Sequence, residues 1–143
     1  MTTQAWQDND LFQTGYLVNG EWHQLDTTFD VLNPATGEVV AKVAKAGKQE
    51  TEQAIAAAAR AFPLWRGKTA KARSELLYRW YQLIIEHKSW LAKLMTIEQG
   101  KPLKEAEGEV DYAASFIQWF AEQGKRANGE IIPPAKPGSR ILA

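Results

Sequence analysis

Between Gly15 and Val43 the chain alternates short apolar runs with turn formers, the signature of strands and tight turns rather than helices. Tyr16-Leu17-Val18 and Glu21-Trp22 stand on either side of Asn19-Gly20, a strong two-residue hairpin turn. A second extended pair, Thr28 to Leu32 and Glu38 to Val43, is joined by Asn33-Pro34-Ala35-Thr36-Gly37, where proline presets one turn dihedral and glycine permits a positive one. Two β-hairpins are predicted.

After Gly47 the period changes. Ile55, Ala58, Phe62 and Trp65 recur at helical spacing through an alanine-rich run, which predicts a first helix from Gln49 to Phe62. Thr69 can cap a second, Ala70 to His87, with Leu76, Leu77, Trp80, Leu83, Ile84 and His87 on one face. Ser89 is placed as the cap of a third helix carrying Leu91, Leu94 and Met95, and Gly100 followed by Pro102 is its stop. Pro102 suits the first turn of a fourth and longest helix. Its apolar stripe runs through Val110, Ala113, Ala114, Ile117, Phe120, Ala121 and Gly124, and Gly129 ends it.

Beyond Gly129 come Ile131-Ile132, two prolines, a Lys136-Pro137-Gly138 turn signal and Ser139-Arg140-Ile141-Leu142-Ala143, which reads as a strand just beginning. Nothing later in the chain can pair with that strand, so the sequence reads as cut. No internal repeat is present, which removes repeat architectures.

Composition narrows the chemistry. At 143 residues the chain is the size of one domain or part of one. Lysine plus arginine equal aspartate plus glutamate at 17 each, so no net field gathers nucleic acid or an anionic membrane. There is no cysteine, which excludes disulfides, thiolate metal sites and a thiol nucleophile within the segment. The start, Met1-Thr2-Thr3-Gln4-Ala5-Trp6, has no signal-peptide pattern, and the longest unbroken apolar run, Ala54 to Ala59, is far short of the roughly 20 residues of a membrane span. A cytoplasmic location is the expectation.

Two signatures then acquire meaning together. Asn33-Pro34-Ala35-Thr36-Gly37-Glu38 and Glu98-Gln99-Gly100-Lys101-Pro102, in that order with helices between them, resemble the opening of an aldehyde dehydrogenase. Thr69-Ala70-Lys71-Ala72-Arg73 and the run from Gly108 to Glu122 (GEVDYAASFIQWFAE) resemble the succinate-semialdehyde dehydrogenase branch, although Ala127-Asn128 replace the bulky apolar residue and tyrosine usual there. The resemblance implies an α/β fold of which this segment is mainly helical, with two N-terminal β-hairpins and about four helices. It implies a tail over 1–14, the N-terminal part of an NAD(P)-binding domain over 15–128, and the truncated start of an oligomerisation β-arm over 129–143.

The resemblance also implies an enzyme that oxidises an aldehyde to a carboxylic acid through a cysteine thiohemiacetal, using NAD or NADP, in a homo-oligomer. The cysteine, the glutamate base, the oxyanion asparagine and the cofactor strands would all lie past Ala143. Within the segment no catalytic, cofactor-binding or metal residue is assigned. The isolated chain is expected to bind no cofactor and to be inactive, its partner being the remainder of the dehydrogenase chain. The alternatives are a non-catalytic helical interaction module, or one half of a split enzyme.

Other groups invite chemistry. Glu105, Glu107, Glu109 and Asp111 crowd the fourth helix, but they divide between two faces without the histidine that a bundle metal site needs, and a solvated face is the expectation. His23 and His87 have no neighbouring ligand or nucleophile and read as structural. Glu98 shares a face with Leu91, Leu94 and Met95, which brings a carboxylate towards the packed side. Its candidate roles are capping and pairing with Lys101 or Arg73, or, by the resemblance, a structural cation near Val31. The tryptophans Trp65, Trp80, Trp90 and Trp119 are expected in core and interface packing.

Overall fold

The computed structural model describes residues 9–134, 136–139 and 141–142. The expected tail over 1–14 falls largely outside them. Its described part turns at Asn9, whose carbonyl accepts the Phe12 N–H at 2.8 Å, and reaches Thr14, whose carbonyl accepts the Ala44 N–H at 2.8 Å.

The first hairpin pairs β1 (Tyr16–Val18) with β2 (Glu21–His23), antiparallel, Tyr16 opposite His23. Asn19 and Gly20 both take positive φ, 54° and 84°, the conformation that matches the right-handed twist of the strands. The second pairs β3 (Thr28–Leu32) with β4 (Val39–Ala44), and its register shifts between Val31 and Leu32.

Four helices follow: α1 (Lys48–Arg66), α2 (Ala70–Glu86), α3 (Lys88–Gln99) and α4 (Leu103–Gln123). Several of their boundaries differ from the sequence expectation, three of them by more than one residue. Helix α1 does not stop at Phe62 but carries Pro63 inside its last turn. The proline forfeits one hydrogen bond, while the Arg73 guanidinium closes the end beyond it, donating to the Lys68 carbonyl at 2.6 Å and to the Arg66 carbonyl at 3.4 Å.

Helix α3 is not capped by Ser89. His87, at φ −94° and ψ 8°, ends α2 and begins α3. Its N–H donates to the Leu83 carbonyl at 3.1 Å, and its own carbonyl accepts from Trp90 and Leu91 at 3.1 and 3.0 Å. Near-helical dihedrals take the chain from one helix into the next with no extended residue for a serine to occupy. Helix α4 ends at Gln123 with Gly124 as its cap, not at Gly129. Past Gly124 the residues Lys125, Arg126 and Asn128 are exposed, so no burial sustains further turns. At the other end Pro102 precedes the helix as its cap, its carbonyl accepting from Glu105 and Ala106 at 2.9 Å each.

Thr69 caps α2 as expected, its Oγ1 accepting the Ala72 N–H at 3.2 Å. The helices pack with α4 lying along both α2 and α3. The seam is narrow: Ala106, Val110, Ala114 and Ala121 are the buried residues of α4, Ala92 that of α3, and Ile84, Leu91 and Met95 close over them. Two ion pairs reach α4, from Lys88 in α3 to Asp111 at 2.6 Å and from Lys101, just past α3, to Glu109.

The final segment pairs after all. Strand β6 (Ile141–Leu142) is antiparallel to β5 (Ile131–Ile132). The expected missing neighbour comes from before the strand, brought round at Gly138, where φ is 86°.

Candidate functional site

The two signature motifs, more than sixty residues apart in sequence, touch each other in the fold. Asn33 shapes the first: its Oδ1 accepts the Ala35 N–H at 2.9 Å, and its carbonyl accepts the Gly37 N–H at 2.7 Å. Pro34 is thereby held against the end of α3. There Gly100 takes a left-handed φ of 76° to stop the helix, and a Cβ placed on it would lie 2.9 Å from Pro34 Cγ. Glycine is required here twice, once by the dihedral and once by the proline ring.

Beside this junction an open groove of about 870 Å³ separates β3 from the helices. Val31, Ile84, Leu91, Met95 and Val110 give it an apolar lining, and Glu98 stands among its polar residues. Glu98 is exposed and pairs with neither Lys101 nor Arg73. Lys101 follows the left-handed turn at Gly100 and faces α4, where Glu109 takes it, while Arg73 is committed to the carbonyls that close α1.

The crowded carboxylates of α4 divide in role. Glu109 and Asp111 bind lysines of the α3 region, and Glu105 stands exposed in the first turn, where a negative charge favours the helix dipole. Among the described residues no three of His, Asp and Glu converge on a point where a cation could sit. His23 lies with its ring centroid 5.3 Å from that of Tyr16, its cross-strand partner, and His87 forms the joint between α2 and α3.

The tryptophans do not fill a core among the described residues. Trp90 is half-buried, but Trp80 and Trp119 are 56% and 58% exposed, and Trp65 stands at 37%. Phe120, on the apolar stripe of α4, is 60% exposed. Alanine fills the seam between the helices and leaves no room there for rings. The chain exposes 11196 Å² in all, against about 7,400 Å² for a compact monomer of this mass.

These residues do not suit a dinucleotide. Each sheet among the described residues is a two-stranded antiparallel pair, without the parallel strands whose carboxyl ends form such a crevice. At the strand-to-helix turn from β4 into α1, Glu50 accepts the Gly47 N–H at 2.7 Å.

Sequence reasoning missed the Pro34 to Gly100 contact, the carbonyl-binding role of Arg73 and the lysine partners on α4. The first had a signal, a glycine at a helix stop and a proline in a distant turn, but no periodicity links the two.

Comparison with known proteins agrees with the motifs. The model of the aldehyde dehydrogenase family matches residues 22–143. A glutarate-semialdehyde dehydrogenase of Pseudomonas putida is 53% identical over 138 residues, covering 95% of this chain and 29% of that protein. The succinate-semialdehyde dehydrogenase [NADP(+)] GabD of Escherichia coli is 50% identical over 137 residues, covering 94% and 28%. The crystal structure of a succinate-semialdehyde dehydrogenase from Burkholderia pseudomallei superposes with a TM-score of 0.87 at 48% identity, covering 95% of this chain and 29% of that one. The chain thus spans less than a third of the length of these relatives, matching their N-terminal portion. With its two signatures in contact and the family model matching from Trp22 onward, the chain belongs to the aldehyde dehydrogenase family.

Proposed function

We propose that this chain serves as the N-terminal part of an NAD(P)-dependent dehydrogenase that oxidises a short aldehyde bearing a carboxylate at its far end, succinate or glutarate semialdehyde, to the diacid. The observation that carries the reading is the roughly even identity, 53% and 50%, to a glutarate- and a succinate-semialdehyde dehydrogenase across nearly the whole segment. In this reading 15–128 is the outer, helical part of the NAD(P)-binding domain and 129–143 opens the arm used for oligomerisation, in a cytoplasmic homo-oligomer. Among the described residues no helix is long and apolar enough to cross a membrane.

The segment contributes scaffold rather than chemistry. It has no cysteine to attack an aldehyde and no cradle for the dinucleotide, so nucleophile, base and cofactor are supplied by polypeptide outside it. Large apolar residues left exposed, among them Leu64, Trp80 and Phe120, support a role as a layer covered by that polypeptide.

The test is the product of the complete reading frame purified from its source and mixed with NAD or NADP and either semialdehyde, with reduced nicotinamide followed by absorbance. A contact to the terminal carboxylate of about 1.5–3 kcal/mol would favour the semialdehydes over butanal by roughly 10- to 150-fold in kcat/KM. Equal rates for butanal would overturn the substrate class, and no reduction of either cofactor would overturn the activity. The 143-residue chain alone is expected to give no turnover.

A further inference from the structure

The chain has four asparagines, and three of them are held back from one reaction of the side-chain amide. Ring closure on the amide carbon by the nitrogen of the following residue needs an N–H on that residue, a side chain free to move and a backbone able to turn between the two. Asn33 precedes Pro34, which has no N–H, and its Oδ1 is taken by the Ala35 N–H. Asn9 precedes an aspartate, whose Cβ crowds the approach, and its Oδ1 accepts the Leu11 N–H at 2.9 Å. Asn19 does precede a glycine, but the pairing of Val18 with Glu21 clamps the turn from both sides and keeps Asn19 in the left-handed region.

Asn128 is the fourth. Like Asn19 it is exposed and followed by a glycine, so exposure does not set the two apart and the backbone does. Asn128 lies between the Gly124 cap and β5, outside every helix and strand. Its own N–H donates to the Arg126 carbonyl at 2.9 Å, but among the described residues neither its side chain nor the Gly129 N–H has a partner. Gly129 brings no Cβ to obstruct the approach. We propose that Asn128 is a site of spontaneous modification, through a succinimide formed with Gly129. Hydroxide takes the Gly129 amide proton and the nitrogen bonds to Asn128 Cγ. The bond from Cγ to Nδ2 breaks, and Nδ2 leaves as ammonia with a proton from water. Water then opens the ring, at Cγ to give aspartate or at the main-chain carbonyl carbon to give isoaspartate. Nothing is oxidised or reduced. Either product adds a negative charge, and isoaspartate also routes the main chain through Cβ and Cγ, which lengthens the link between α4 and β5.

The test incubates the complete product of the reading frame in warm, mildly alkaline buffer, beside a synthetic peptide running from Lys125 to Ile131. Samples are digested, and the peptides are separated and weighed by mass spectrometry. The peptide bearing Asn128 should give two heavier products, the isoaspartyl form in excess, while the peptide bearing Asn19 stays intact. Asn128→Gln should abolish both products, because its amide carbon lies one methylene beyond the reach of a five-membered ring. Asn128 left intact in the protein while the synthetic peptide converts would overturn the proposal. So would conversion of Asn19 at the same rate, or aspartate formed without isoaspartate. None of these results bears on the dehydrogenase reading, which is decided by turnover of an aldehyde.

Discussion

Replacing Gly100 with alanine sets two costs against the fold through a single added carbon. The first is conformational: at φ 76° an L-residue with a Cβ meets its own carbonyl, at about 1–2 kcal/mol. The second is contact: the new carbon would sit 2.9 Å from Pro34 Cγ, and the pyrrolidine ring, locked to its backbone, cannot swing away as a long side chain would. Overpacking of this kind costs about 1–3 kcal/mol. Together Gly100→Ala should destabilise the chain by about 2–5 kcal/mol, read as a shift of the urea midpoint followed by far-UV circular dichroism. The two costs separate in a double-mutant cycle. Pro34→Ala removes the ring, so in its background Gly100→Ala should recover the contact cost and retain the dihedral one, a coupling of about 1 kcal/mol or more. Effects that add to within about 0.5 kcal/mol would refute the contact and with it the claim that the two motifs meet.

Two further outcomes follow from the helix ends. Thr69→Ala removes the oxygen that holds the Ala72 N–H, and should cost about 1 kcal/mol in the same unfolding measurement, with Thr69→Ser close to neutral. Arg73→Met strips the guanidinium from the carbonyls of Arg66 and Lys68; amide hydrogen exchange at Gly67 and Lys68 should quicken, with the centre of α1 unchanged, and equal protection in both proteins would show that the end closes without it.

What the sequence made legible was whatever is decided within a few residues. The Asn19-Gly20 turn, the Thr69 cap and the Gly100 stop each follow from one side chain, or its absence, acting on adjacent backbone, and the family motifs lay in the same kind of segment. The misread features depend on distant partners. Pro63 should end α1, and it fails to because Arg73, on the next helix, closes the turn beyond it. Ser89 has the chemistry of a cap, but His87 passes the chain on without the extended residue that a cap requires. The stripe of α4 was drawn to include Phe120, yet what the neighbouring helices admit at their seam is methyl groups. A periodic pattern shows that a face is apolar without saying which protein atoms cover it, so what packs on Phe120 and the tryptophans could not be read from spacing.

The alanines between α4 and its neighbours have a consequence of another kind. An alanine has no rotamers to freeze, so a seam made of alanines forms without loss of side-chain freedom, and it cannot adjust: there is no torsion by which Ala106 or Ala114 could make room or take up slack. Larger side chains would set the spacing of the helices as a compromise among many conformers. Here the alanines at the buried positions leave little to adjust, and the apolar area they bury is small. The seam works as a gauge block: it fixes how far apart the helices stand and leaves the force that clamps them to other surfaces.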